Sequence, residues 1–229
     1  NGCQGGQTAY TGTPPAIGID FFEGPYQDNN GLPDSVYKNG RNAATTAVVG
    51  NGIGYGDDII DNERFGMRKF VYYTAGGNPA TSDPTNFVEY YNYLQGKWAD
   101  GTPFYYGGTG HFSDASTSNI ETDFCFPSDP ETGVTSDPEG WGTGGVQGLP
   151  VWHETPGINS VGDRRLLQSA GPFTLQPGAL NNITVGVVYG RGSSNQLSSI
   201  SKLKFADDKA QRLFDNCFQL LDGPDAPVI

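Results

Sequence analysis

Apolar and polar positions alternate along much of the chain, and the alternation predicts strands. Ile17, Ile19 and Phe21 alternate with Gly18 and Asp20, giving one apolar and one exposed face. Residues 65–73 carry aromatics on both faces, the pattern of a central strand. Ile120, Thr122, Phe124 and Phe126 share a side opposite Glu121, Asp123 and Cys125. The clearest pair joins residues 172–175 to 182–189 through a turn at Gln176, Pro177 and Gly178, with Ile183, Val185, Val187 and Tyr189 lining one side. Strands separated by Gly, Pro and Asn turns predict a mainly β fold, a β-sandwich-like module with long Gly/Asn/Asp-rich loops.

Two segments switch to helical spacing. Near 84–98, Ser82, Asp83 and Pro84 offer a start, and Phe87, Tyr90, Tyr91, Leu94 and Trp98 recur every three or four residues. Near 197–221, Leu197, Ile200, Leu203, Ala210, Leu213, Phe214, Cys217, Leu220 and Leu221 form one apolar stripe, closed by Gly223 and Pro224.

Composition narrows the class. A chain of 229 residues is long enough to bury a core without staples. Aromatics make up 12% of it, too much ring surface for a disordered chain. The net charge of −12 sets any contact with nucleic acid or an anionic membrane against repulsion, so neither is expected as a partner. No apolar run approaches the roughly 20 residues of a membrane helix, and direct membrane insertion is not expected. The charge is uneven: residues 1–150 hold 6 basic and 18 acidic side chains, residues 151–229 hold 7 of each. We read residues 1–221 as one loop-rich module, acidic over 1–150 and neutral over 151–221, with 222–229 a stiff polar linker to a following domain. Starting at Asn1 and ending in Asp-Ala-Pro-Val-Ile, the chain reads as a piece of a longer protein.

One ordered set of motifs carries a family resemblance. Gly162-Asp-Arg-Arg165, Gln168-Ser-Ala-Gly-Pro-Phe-Thr-Leu-Gln-Pro-Gly178, Ile183-Thr-Val-Gly-Val-Val-Tyr189, Lys202 to Ala210 and Leu213-Phe-Asp-Asn-Cys-Phe218 follow one another, and Asp222-Gly-Pro-Asp-Ala-Pro227 closes the set. Together they resemble a module of large Bacteroidetes surface proteins exported by the type IX secretion system. The likeness extends upstream through Gly18-Ile-Asp-Phe-Phe-Glu-Gly-Pro-Tyr26 and residues 54–69. The resemblance implies an extracellular or outer-cell-surface location and a multidomain architecture. That family has no established activity, so it supplies no catalytic residues.

Calcium is the first candidate ligand. Asp28, Asn30 and Asp34 surround Gly31 in a short acidic loop, similar to the Asp-x-Asp-Gly-x-x-Asp core of thrombospondin-type calcium loops, although Tyr26 stands where that pattern has a ligand. Asp57, Asp58 and Asp61, with Glu63, form a second cluster that needs a cation, Arg64 or Arg68, or solvent. The alternative for the first loop is a solvated Asx turn. Trp141, in Glu-Gly-Trp-Gly-Thr-Gly-Gly, is the candidate ligand-binding residue: its indole can stack on a pyranose ring.

Catalytic signals are sparse. His111 and His153 are the two histidines, and no zinc helix, nucleophile elbow or phosphate loop accompanies them. Glu154 beside His153 offers acid–base chemistry, but nothing along the chain marks a nucleophile next to either ring, and both read as hydrogen-bonded loop residues. Three cysteines in an exported protein favour one disulfide and one free thiol. With Cys217 on the apolar stripe, Cys3 and Cys125 remain as the pair. Asp34-Ser35-Val36 also matches a short Bacteroidetes O-glycosylation signal. The expectation is a non-catalytic structural or adhesive module, calcium-stabilised, whose partners are flanking domains of the same polypeptide, surface glycans or other surface proteins. The alternative is a carbohydrate-binding module accessory to a hydrolase.

Overall fold

The computed structural model describes residues 13–27, 29–34, 52–155, 158–159 and 162–219. The strands are β1 (Ala16–Glu23), β2 (Gly52–Ile53), β3 (Arg64–Phe65), β4 (Lys69–Thr74), β5 (Arg164–Ser169) and β6 (Thr184–Gly190). The helices are α1 (Phe87–Leu94) and α2 (Gln196–Asp215), with short 3-10 turns at Pro79–Thr81 and Trp141–Thr143. The described chain is mostly non-helical, and its strands form three two-stranded ladders, β1–β6, β2–β3 and β4–β5. These ladders do not make a closed sandwich. By its contacts the chain divides into two compact units, one of Asn1–Phe22 with Thr184–Ile229, the other of Glu23–Ile183. The expected linker at 222–229 lies outside the described residues.

In the larger unit β4 is the central element. It pairs antiparallel with β5, from Lys69 opposite Ser169 to Thr74 opposite Arg164. On its other edge the Phe70 amide donates to Asp123 O (2.9 Å) and the Cys125 amide to Phe70 O (2.8 Å). Around this ladder lies an aromatic core. Trp98, 1% exposed, stacks on Phe104 at 3.9 Å and meets Tyr72 edge-on at 5.6 Å. Tyr73 stacks on Tyr93 at 4.8 Å, and Trp152 packs between Tyr106 and Phe126.

Each buried aromatic with a polar tip donates it to a loop carbonyl. Tyr72 reaches Thr109 O (2.8 Å), Tyr93 reaches Ser82 O (2.8 Å) and Tyr106 reaches Pro150 O (2.6 Å). Trp98 Nε1 donates to Gly110 O (3.0 Å) and Trp152 Nε1 to Gly108 O (2.9 Å). Buried Tyr and Trp need such partners, and loop carbonyls without a ladder need donors.

The apolar stripe of α1 does not face this core. Phe87 (84% exposed), Tyr90, Tyr91 and Leu94 stand out on the surface, and Tyr93 is the residue the helix buries. The helix begins later than Ser82-Asp83-Pro84 suggests. Asn86 is the cap, accepting from the Val88 and Glu89 amides, and Glu89 accepts from the Thr85 amide. Asp83 pairs with Arg165 instead (2.5 Å).

The smaller unit reverses the expected faces. α2 packs on the β1–β6 ladder, and it covers the glycine side. A Cβ on Gly18 would lie 3.3 Å from Leu203, and one on Gly190 would collide with the Leu203 backbone. Phe22 stacks on Phe214 at 4.9 Å. Burial raises the Asp20 carboxyl above its usual range, and nearby Asp215 adds to the rise. Ile17, Ile19, Val185, Val187 (72% exposed) and Tyr189 lie open on the other face. Residues 172–175 form no strand; β6 pairs with β1 in their place, although the turn closes through the Ala179 amide to Gln176 O (3.0 Å). α2 starts on a capping box of Asn195 and Ser198 and ends at Asp215, so Cys217 is exposed rather than part of the buried stripe.

Asp123, 0% exposed, is the deepest charge in the larger unit, and it bonds both Arg68 and Lys69. Removing one partner of a buried charged group costs about 3–5 kcal/mol. Asp123→Ala, which removes this carboxylate from two cations beside β4, should lower the unfolding free energy by about that amount, read from denaturant midpoints at constant slope.

Candidate functional site

Three places in the larger unit combine chemistry with geometry. The first is formed by the two acidic loops, which the fold brings together. The Asn30 amide donates to Asp61 Oδ1 (3.0 Å), and the Gly31 amide donates to both oxygens of the same carboxylate (3.0 and 3.2 Å). The Asp34 amide donates to Glu63 Oε1 (2.6 Å), and the Gly56 amide to Asp34 O (2.9 Å). Asp58 and Asp61 take left-handed backbone angles, φ 61° and 55°, which turn the 57–63 loop toward residues 30–34. Glu63 is buried there; Gln27 bonds Asp34, and the Tyr55 hydroxyl donates to Gln27 (2.8 Å).

These carboxylates are therefore served largely by amide hydrogens. Asp57 accepts from the Asn62 side chain (2.8 Å) and the Ile59 amide (2.9 Å), which hold its carboxyl below the usual range. Asn30 Oδ1 accepts from the Leu32 amide (2.8 Å), an Asx turn. Asp58 is exposed. Asp28 lies outside the described residues. Among the described residues no three His, Cys, Asp or Glu side chains stand where they could share one ion.

The second place holds Trp141. Asp137 accepts from the Trp141 and Gly142 amides (2.8 Å each), and Gly140, at φ 68°, lets the backbone pass where a Cβ would strike Val146. The indole is half-buried against Phe65, and it lines a cavity of about 260 Å³ with Met67, Phe70, Phe124 and Phe126. Cys125 also borders this cavity. It is a free, buried thiol, and burial pushes its ionisation well up, so it remains protonated. Cys3, expected as its disulfide partner, lies outside the described residues.

The third place was not legible as a site. His111 is 4% exposed, edge-on to Trp98 at 5.7 Å. Its Nδ1 lies 2.7 Å from Ser113 Oγ and 3.3 Å from the Ser113 amide nitrogen; its Nε2 lies 3.3 Å from Asp100 Oδ2. Burial pushes the Asp100 carboxyl up, but bonds from the Thr102 hydroxyl and amide, with His111, outweigh it and hold the group below its usual range. Asp114 braces the same loop, accepting from Ser116 and from the Thr109 amide, and is held at a pKa of about 2. A cavity of about 260 Å³ opens here, bordered by Tyr72, Asn78, Trp98, His111, Ser113 and Asn159. Sequence spacing offered a faint signal, the His-x-Ser pair, but Asp100 is eleven residues away and its approach depends on the fold.

His153 has no such setting. Its neighbour Glu154 is paired with Arg164 (2.8 Å). Comparison with protein-family models, curated proteins and solved structures finds no match to this chain. Among the described residues no helix is long and apolar enough to cross a membrane.

Proposed function

We propose that the chain is a structural or adhesive module of a secreted, multidomain cell-surface protein of the Bacteroidetes type. The observation that carries this reading is the open apolar face of the β1–β6 ladder, with Ile17, Ile19, Val185, Val187 and Tyr189. A contiguous apolar face of this kind is a place for another layer of protein. The sandwich layering expected of such a module is completed when a sheet of a neighbouring domain covers it. The aromatic surface of α1 gives a second contact region, suited to surface proteins or glycans. An extracellular location agrees with the acidic, Asx-rich loops and with the type IX resemblance.

In this reading, Ile17→Glu/Val187→Glu keeps its fold by circular dichroism, because both side chains are exposed. In a polypeptide that includes the neighbouring module, the double variant should lose docking between modules, seen as a larger radius of gyration by X-ray scattering. An unchanged radius sinks the docking face.

Calcium enters the same reading through the paired loops, in which the Asn30 and Gly31 amides meet Asp61 and the Asp34 amide meets Glu63. Calcium at about 100 times its Kd should stabilise the chain by about 2.7 kcal/mol. Melting in calcium against EDTA reads this directly, and coincident curves remove the ion from the account.

A second reading, a carbohydrate-binding module accessory to a hydrolase, is favoured by the aromatic walls around Trp141. Stacking on an aromatic ring is worth on the order of 1 kcal/mol or more. Glycans bound on an array should be lost on Trp141→Ala with the melting temperature kept. A wild-type chain that binds no glycan ends this reading.

A further inference from the structure

The His111 loop holds the parts of an acyl-transfer centre, and the hydrogen bonds fix their roles. A backbone amide can only donate, so the Ser113 N–H near Nδ1 makes that nitrogen an acceptor. The ring proton then sits on Nε2, facing Asp100, and the Ser113 hydroxyl donates to Nδ1 at 2.7 Å. A nucleophile, a base that can take its proton and a carboxylate orienting that base are the elements of a catalytic triad. The nitrogens are exchanged relative to the usual serine-protease order. This does not alter the proton balance, because neutral imidazole carries one proton and offers one lone pair, whichever nitrogen holds which.

We propose that Ser113, His111 and Asp100 hydrolyse small neutral esters bound in the adjoining cavity. Ser113 Oγ attacks the ester carbonyl carbon and its proton passes to His111 Nδ1, with Asp100 stabilising the imidazolium through Nε2–H. The tetrahedral intermediate collapses, the carbon–oxygen bond to the alcohol breaks, and Nδ1 returns the proton to the departing oxygen. A water molecule then gives a proton to Nδ1 and attacks the acyl group. Ser113 leaves and regains its proton, so ester and water become alcohol and carboxylic acid.

The surroundings select the substrate class. The cavity, about 260 Å³, has room for a short acyl chain and part of its alcohol, not for a long lipid. Trp98 and Tyr72 give it aromatic walls. Asp114, also on its border and ionised above a pKa of about 2, opposes an anionic substrate. Asn78 uses its Oδ1 on the Ala80 amide (3.1 Å), which leaves its Nδ2 as a side-chain donor for the oxyanion. Ser113 is exposed while His111 is buried, so the nucleophile is reachable and its base is shielded.

This centre goes beyond the scaffold role and is tested separately from it. The chain is treated with a fluorophosphonate and the adduct mapped by peptide mass spectrometry; turnover of p-nitrophenyl acetate is followed by absorbance. The adduct is expected on Ser113. Ser113→Ala, at an exposed site, should keep its melting temperature and lose both labelling and turnover. Asp100→Asn should lower turnover by on the order of 10²-fold or more while the Ser113 hydroxyl is still present. Because His111→Ala opens a hole beside Trp98, the two milder variants decide the outcome. Absence of a Ser113 adduct, or a Ser113→Ala variant that turns over ester at the wild-type rate, overturns the proposal.

Discussion

The larger unit depends on one kind of interaction, the bond from a buried aromatic's polar tip to a loop carbonyl. Residues 99–155 contain almost no regular ladder, and their backbone groups bond one another only through turns and isolated bridges. Core aromatics add the anchors a sheet would have supplied: Tyr72, Trp98, Tyr106 and Trp152 each bury a ring and fix a carbonyl of this segment, and Tyr93 does the same for Ser82. Burial and hydrogen bonding are coupled here. A loop that drifted away would leave a donor unsatisfied beneath it, at a cost of about 1–3 kcal/mol for each group.

Buried charge performs the same task at two further joints. Asp123 ties the segment entering β4 to the strand edge beside it through Arg68 and Lys69. Glu63 receives the Asp34 amide and closes one acidic loop on the other. Ion pairs of this sort seldom add net stability compared with an apolar replacement, but they fix geometry because breaking one side is costly. The loops that bear Trp141 and the His111 centre are thus held by specific polar contacts on an aromatic base. Such an arrangement gives a rigid frame to a scaffold, and it also keeps a nucleophile and its base in register.

Legibility varied from element to element. The central position of β4 followed from aromatics on both of its faces; Trp98 is buried although the helix of its spacing ends at Leu94 and turns Phe87, Tyr90, Tyr91 and Leu94 outward. The stripe of α2 was also legible over Leu197–Phe214 because it is long and carries a cap. The partner of β6 was not, since pairing with β1 joins residues more than 160 positions apart and no local turn signals it. Asp123 fell on the side of an alternating run opposite Phe124 and Phe126, with nothing there to mark it as the charge the core surrounds. Of the expected metal residues, the acidic loops were visible as clusters; that Asp61 would serve the Asn30 and Gly31 amides was not, because a carboxylate's partner is set by what folds against it.

By itself the sequence determined the periodicities: which segments alternate, which take helical spacing, and how acidic the first 150 residues are. These are local properties of side chains and backbone angles. The tertiary structure alone decided which face goes inside. In β1 and β6 the side chains of Ile17, Ile19, Val185, Val187 and Tyr189 point away from α2, because Gly18 and Gly190 let the helix backbone come close on their side, where Phe22 stacks on Phe214, and larger residues at those two positions would hold it off. It also decided which acceptor each buried donor finds, and placed Asp100 behind the His111 ring, since those choices depend on distances between residues that no sequence spacing sets.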